Sequence, residues 1–149
     1  MVPLVMLLIF WGVLGLSGRF LFPELRSWRV SGRLALTGMF LFTGITHFSP
    51  MRHYYVAMIP EPLPKQIIIV YLTGLLEILG GIGLAYSRTA RSAGACLMLL
   101  LILLFPANIN AAVNEIPFGG APPTSLWLRL PIQVFFLAAI WWTSVRKDS

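Results

Sequence analysis

The sequence predicts an all-α integral membrane protein, a compact bundle of five transmembrane helices forming one domain. Three observations predict it. The chain is 58% hydrophobic and 11% charged, with a mean hydropathy of +0.83, where a soluble domain carries about 25% charged residues. The apolar residues fall into long runs that leave too little polar sequence to wet the surface of such a core. The basic residues sit in short spacers between those runs. The net charge of +6 therefore reads as a topology signal, not as the basic, aromatic-bearing stripe of a nucleic-acid surface.

The runs place spans at about 2–22, 34–50, 66–86, 93–113 and 126–145. A hydrocarbon core of about 30 Å takes roughly 20 helical residues, and backbone groups in lipid must bond within their own segment, so these runs read as helices. The first has no Lys or Arg before Arg19 and no clear small-x-small cleavage site, which favours a retained helix over a signal peptide. The second is short, Leu34 to Phe48, and reaches span length only by running through Pro50 or by standing untilted.

Alternating the spacers puts Arg19, Arg26, Arg29, Arg33, Arg88, Arg91, Arg146 and Lys147 on one side, and Arg52, Lys65 and Arg129 on the other. The positive-inside rule makes the first side cytoplasmic, with the N-terminus outside and the C-terminus inside a cell membrane, the inner membrane in a bacterium. Removing or flattening the first segment leaves the other four spans in the same orientation. Trp28, Trp127, Trp141 and Trp142 lie near span ends, where indoles favour the headgroup zone, and Trp11 lies mid-span as packing.

The spacer 51–65 carries Pro60, Pro62 and Pro64, which break helix and favour extended turns. It reads as a stiff connector, or as a lid over the outer end of the bundle. The stretch Pro117–Pro123 is a Gly/Pro-rich loop. The single Cys96 rules out an intrachain disulfide and a CxxC pair, and no residues cluster as metal ligands.

Glu77 is the most informative residue. It lies about 16 Å along the third span from Gln66, near the bilayer midplane. A carboxyl there is costly and faces the bundle interior with a partner. It carries protons or anchors a polar or cationic ligand group, or it is a structural hydrogen-bonding group between helices. His47 ends the second span, with Thr43 four residues earlier on the same face. It suits a proton shuttle and equally a helix-end cap. Asn108 follows Pro106, whose missing N–H kinks a helix and frees a carbonyl. Asn108 reads as glue at that kink or as a ligand contact; Asn110 points away from it, and Asn114 is interfacial. Gln133 lies about two turns into the fifth span, an interhelical hydrogen bond in its simplest role. His47, Asn108 and Gln133 share the outer half of the bundle and Glu77 the middle. This predicts a pocket opening outward with Glu77 at its floor, Glu77 and His47 as catalytic candidates, and Thr43, Thr73, Asn108 and Gln133 as ligand-binding candidates. Gly74, Gly80, Gly81 and Gly83 allow close helix approach.

Four blocks resemble the DoxX-like family of small membrane proteins: Gly44–Phe48 (GITHF), Met58–Pro64 (MIPEPLP), Gly74–Gly81 (GLLEILGG) and Phe105–Ile109 (FPANI). The likeness runs from about Arg33 to Trp142. It implies a four-helix core, to which the first span would be an addition. The family takes its name from a subunit of a thiosulfate–quinone oxidoreductase, and other members are linked to quinones or oxidative stress. A distant animal relative is an assembly chaperone for nicotinic receptors. The core is also similar to that of sterol-isomerase-like proteins, where acidic residues and a histidine act on a lipid-like substrate. Three functions stay open: a quinone-linked or lipid-substrate oxidoreductase component, a non-enzymatic chaperone or complex subunit, and a hydrophobic-ligand binder or acid–base isomerase. In the first, the redox cofactor is a diffusible quinone or belongs to a partner protein. The expected partners are the bilayer, a small hydrophobic ligand, a membrane or redox protein, and a second copy of the chain.

Overall fold

The structure is a computed structural model and describes residues 2–146, so Met1 of the first span and Lys147 of the charge count lie outside the described residues. Six α-helices follow one another without strands among the described residues: α1 (Val2–Phe20), α2 (Trp28–Thr46), α3 (Arg52–Met58), α4 (Ile67–Ala85), α5 (Ala90–Val113) and α6 (Leu126–Ile140). The last runs on as a π-helical turn, Trp141–Val145. Helices α1, α4, α5 and α6 with its π turn are long and apolar enough to cross a membrane. Helix α2 packs between them, against α1 on one side and α4 on the other. The order α2–α4–α5–α6 closes into a four-helix ring through the π turn and α2, and α1 lies outside it on α2.

Helix α2 differs from its expected span. It reaches length at its other end, starting at Trp28 and stopping at Thr46 short of Pro50. No proline interrupts Trp28–Arg33, and arginine is a good helix former whose stem packs on apolar surface while its head reaches water. Here the Arg29 guanidinium donates to the Arg146 carbonyl at 2.8 Å and Arg33 to Ser87 Oγ at 2.9 Å. The spacer 51–65 also differs. Its prolines confine extended chain to its second half, while the proline-free Arg52–Met58 forms α3. Of the four tryptophans placed at the headgroup zone, Trp142 instead turns inward, its ring 6.0 Å from that of Trp11. Trp11 also donates Nε1–H to the Trp28 carbonyl at 3.1 Å, tying α1 to the start of α2.

The α2–α4 seam positions the site. The buried residues of α4 are Val70, Gly74, Glu77, Gly81 and Leu84, a stripe of alternating four- and three-residue steps along one helix face. Opposite them α2 buries Ala35, Leu36, Met39, Phe40 and Gly44. The backbones meet most closely where Gly44 faces Gly74: a Cβ built on Gly74 would lie 2.5 Å from His47 Cβ and 2.9 Å from the Gly44 carbonyl oxygen. Below this crossing Leu36, Phe40, Leu84, Leu97 and Ile140 form the fully enclosed core.

The two ends of the bundle are chemically different. One gathers Arg19, Arg26, Arg29, Arg33, Arg88, Arg91 and Arg146, by the direction of the helices. The other carries α3 and the α5–α6 loop. In that loop Phe118 and Ala121 exchange backbone hydrogen bonds of 3.3 and 3.1 Å around Gly119 and Gly120. Both glycines hold positive φ, 60° and 79°, which a two-residue primed turn requires and glycine adopts without a Cβ penalty. This turn sets Phe118 edge-on against Tyr55, ring centroids 5.0 Å apart.

Candidate functional site

A cavity of about 300 Å³ opens inside the half of the bundle that carries α3. It lies away from the arginine-rich end, where α2 packs on the π turn that follows α6. Each ring helix offers it one face. Helix α2 presents Met39, Phe40, Thr43 and His47; α4 presents Val70, Thr73 and Glu77; α5 presents Leu101, Leu104, Ala107 and Asn108; α6 presents Arg129, Ile132, Gln133 and Phe136. Within each set residues recur three and four apart, with adjacent pairs at 39/40, 107/108 and 132/133, so each set covers one side of its helix. Tyr55, Met58 and Ile59 of α3 and its following turn, Phe118 and Thr124 of the α5–α6 loop, and Pro3 and Leu4 of α1 complete the walls. All six candidate residues from the sequence, Glu77, His47, Thr43, Thr73, Asn108 and Gln133, line this one cavity.

Glu77 is 6% exposed and faces the ring interior, not lipid. Its Oε2 accepts from Thr43 Oγ1 at 2.6 Å. Among the described residues Oε1 has no hydrogen-bond partner. The Thr43 hydroxyl also has the Phe40 carbonyl within reach at 3.3 Å, so its one proton has two acceptors. His47 is 4% exposed. Its Nδ1 lies 2.9 Å from the Thr43 carbonyl; a carbonyl only accepts, so Nδ1 carries the hydrogen and a neutral ring keeps the Nε2 lone pair. The imidazole stacks on the Tyr55 ring, centroids 3.9 Å apart and planes 12° from parallel. Tyr55 is anchored in turn: Thr46 Oγ1 donates to the Thr43 carbonyl at 2.6 Å, leaving its oxygen to accept from the Tyr55 hydroxyl at 2.7 Å. Burial pushes the Tyr55 phenol up to about 12, against the smaller downward pull of the Thr46 bond, so it stays a neutral donor.

The α5–α6 wall holds the remaining polar groups. Gln133 donates Nε2–H to the Leu101 carbonyl at 2.8 Å, next to the Ile102 carbonyl that loses its helix partner to Pro106. Asn108 Oδ1 accepts from Arg129 Nη1 at 3.3 Å, and Arg129 Nε donates to the Thr124 carbonyl at 3.0 Å. Asn110 points elsewhere and donates to the Met58 carbonyl at 3.0 Å, fixing the end of α3. Thr73 donates to the Val70 carbonyl of its own helix at 2.9 Å.

Among the lining residues with no place in the pocket expected from sequence, Arg129 and Tyr55 bring the most chemistry. Arg129 counted there only as a spacer charge; its signal was its spacing of four from Gln133, which puts both on one face of α6. Tyr55 lay in a spacer read as non-helical, and its signal was the proline-free run before Pro60. Among the described residues no group of three or more His, Cys, Asp or Glu side chains is arranged to hold a metal ion.

Residues 36–144 match the family described as "Domain of unknown function (DUF8561)", and the chain belongs to that family. The matched stretch takes in every cavity residue except Pro3 and Leu4 of α1. No curated protein and no solved structure matches the chain.

Proposed function

We propose that this DUF8561 protein is a DoxX-like membrane protein that takes the head group of a small amphipathic molecule into the cavity and exchanges protons with it through Glu77 and His47. One observation carries the reading: four helices turn polar side chains into one largely apolar cavity, and the most deeply placed of them is a carboxyl with a free oxygen. That is the make-up of a small-molecule site, apolar walls with a few convergent polar groups. The Glu77–Thr43–Phe40 chain has a bonded arrangement for either protonation state. An ionised Glu77 accepts from Thr43; a protonated one donates to Thr43, which then donates to the Phe40 carbonyl. A group that gains and loses a proton without stranding a buried partner suits proton carriage.

Size narrows the ligand. A cavity of about 150 Å³ holds benzene, so about 300 Å³ takes a head of one or two rings and leaves any long tail in the bilayer. A quinone head fits this description. It is reduced to the quinol by two electrons from a partner protein and two protons, one from the protonated Glu77 carboxyl and one that His47 first takes up from water at Nε2 and then passes on. The arginine-rich end is then cytoplasmic, the cavity opens towards the outer face of a cell membrane, and α2 is the fifth span. A chaperone or complex subunit could use the glycine-rich face of α4 as its partner surface, but this chain already covers that face. Gly74 faces His47, Gly80 faces Leu97, Gly81 faces Phe40 and Gly83 faces Ala93, all within the chain.

Protein purified in mild detergent should retain a quinone or a similarly sized amphiphile, seen by mass spectrometry of the extract. Glu77→Gln should keep the fold and the bound molecule while cutting a reconstituted quinone-reduction assay at least tenfold. An empty wild-type cavity together with an unchanged Glu77→Gln rate refutes the reading.

A further inference from the structure

Arg129 is the cation of this cavity. It lies about 4.5 Å along α6 from Leu126, where an arginine ordinarily snorkels to the headgroups. Here it does not. Its Nη1 points inward to Asn108, and its neighbour Trp127, 88% exposed, takes the lipid-facing side of the helix. Thr124 and Asn108 hold the guanidinium at two points, but both are neutral acceptors and leave its charge uncompensated. No described carboxylate pairs with it. Glu77 is ten residues along α4 where Arg129 is three along α6, a depth difference of about 10 Å for helices that start level. Between those depths the cavity wall is apolar at Leu104 and Ile132.

A guanidinium has five N–H groups. One goes to Thr124 and one to Asn108. Three are left, two on Nη2 and one on Nη1, donors of the kind that hold a carboxylate through charge-assisted hydrogen bonds. An uncompensated cation within a membrane span is expensive, and a bound anion offsets that expense. We infer that Arg129, pre-set by Asn108 and Thr124, is an anion-recognition site, and that the cavity selects amphiphiles whose head carries an anionic oxygen pair or an ionised oxygen of equivalent geometry at the end nearer α3. The inference rests on the cavity being a ligand site, and it names the ligand's charge.

The test uses two ring systems of matched shape, 2-naphthoate and its neutral isostere 2-naphthamide, titrated by fluorescence into the full chain in detergent at neutral pH. The wild type should bind naphthoate at least tenfold more tightly than naphthamide. Arg129→Gln should abolish the preference and leave naphthamide unchanged, and Arg129→Lys should restore part of it, since an ammonium keeps the charge but lacks the guanidinium's planar set of donors. Thermal stability of each variant in detergent checks that the fold persists. Equal affinities in the wild type, no binding of either probe, or a preference that survives Arg129→Gln overturns the inference. A neutral 1,4-naphthoquinone titrated alongside separates the two proposals. Naphthoate bound through Arg129 without quinone binding leaves the anion site standing and removes the quinone; quinone binding without a naphthoate preference does the reverse.

Discussion

Replacing Gly74 by alanine tests the seam that aims Glu77 and His47 into the cavity. The new methyl group would lie 2.5 Å from His47 Cβ, 2.9 Å from the Gly44 carbonyl oxygen and 3.0 Å from His47 Cγ. Carbon atoms pack comfortably at about 3.5–4.0 Å, so α2 and α4 must part by about 1 Å here. The neighbours are backbone and the root of a side chain, which cannot swing aside. Forced insertion of one methyl into a packed interior costs about 1–3 kcal/mol, a factor of roughly 5 to 150 in the unfolding equilibrium. The same substitution at Gly12 of α1 supplies the control: its Cβ would meet nothing within 4 Å, and alanine is the better helix former by about 1 kcal/mol. Equilibrium unfolding by a denaturing detergent, followed by tryptophan fluorescence, should rank Gly12→Ala at or above wild type and Gly74→Ala well below it. Stacking of His47 on Tyr55 should also loosen, and ligand retention should fall with it. A Gly74→Ala protein as stable as Gly12→Ala would refute the close α2–α4 crossing, and with it the placement of Glu77.

Two further substitutions probe the walls. Tyr55→Phe keeps the ring on His47 and loses only the 2.7 Å bond to Thr46, so stability should fall by about 0.5–1.5 kcal/mol and bound ligand should remain; Tyr55→Ala removes a wall of the cavity and should release it, as measured by mass spectrometry of the extract. Gln133→Leu removes the side-chain donor to the Leu101 carbonyl and should cost about 0.6 kcal/mol, the average size of such an interhelical bond, read by the same unfolding assay; a loss of several kcal/mol would mean that Gln133 holds the Pro106 region of α5 together.

The helical bundle was legible because hydrocarbon allows few alternatives. Apolar runs of membrane length must be helices, and α4, α5 and α6 with its π turn begin and end close to where those runs do. The start of α2 was not legible by the same logic. Hydropathy registers the arginines at positions 29 and 33 as spacer, while the backbone registers them as helix formers whose guanidinium groups find Arg146 and Ser87. Likewise α3 is too short and too polar to show as a run, and three prolines immediately after it dominate the reading of its surroundings.

The convergence of the six candidate residues was legible for a different reason. Helices crossing a slab in alternating directions convert position in sequence into depth, so polar groups at matched depths are brought to one level by the bilayer itself. Depth says nothing about azimuth, and the inward turn of each face had to come from packing. Glu77 points inward because it lies on the stripe that contains Gly74 and Gly81, the two glycines that let α4 press against α2. The glycines and the carboxyl are thus one device: the close crossing covers this face of α4, and that cover keeps the acid inside the bundle. Charge counting treats an arginine only as a marker of sidedness, which is why Arg129 escaped notice. Its hydrogen bonds to Asn108 and Thr124 turn it away from the lipid and into the same cavity as the acid. A positive and an acidic group facing one apolar cavity from different depths impose an orientation on whatever enters it, and that orientation follows from two helix faces, not from either residue alone.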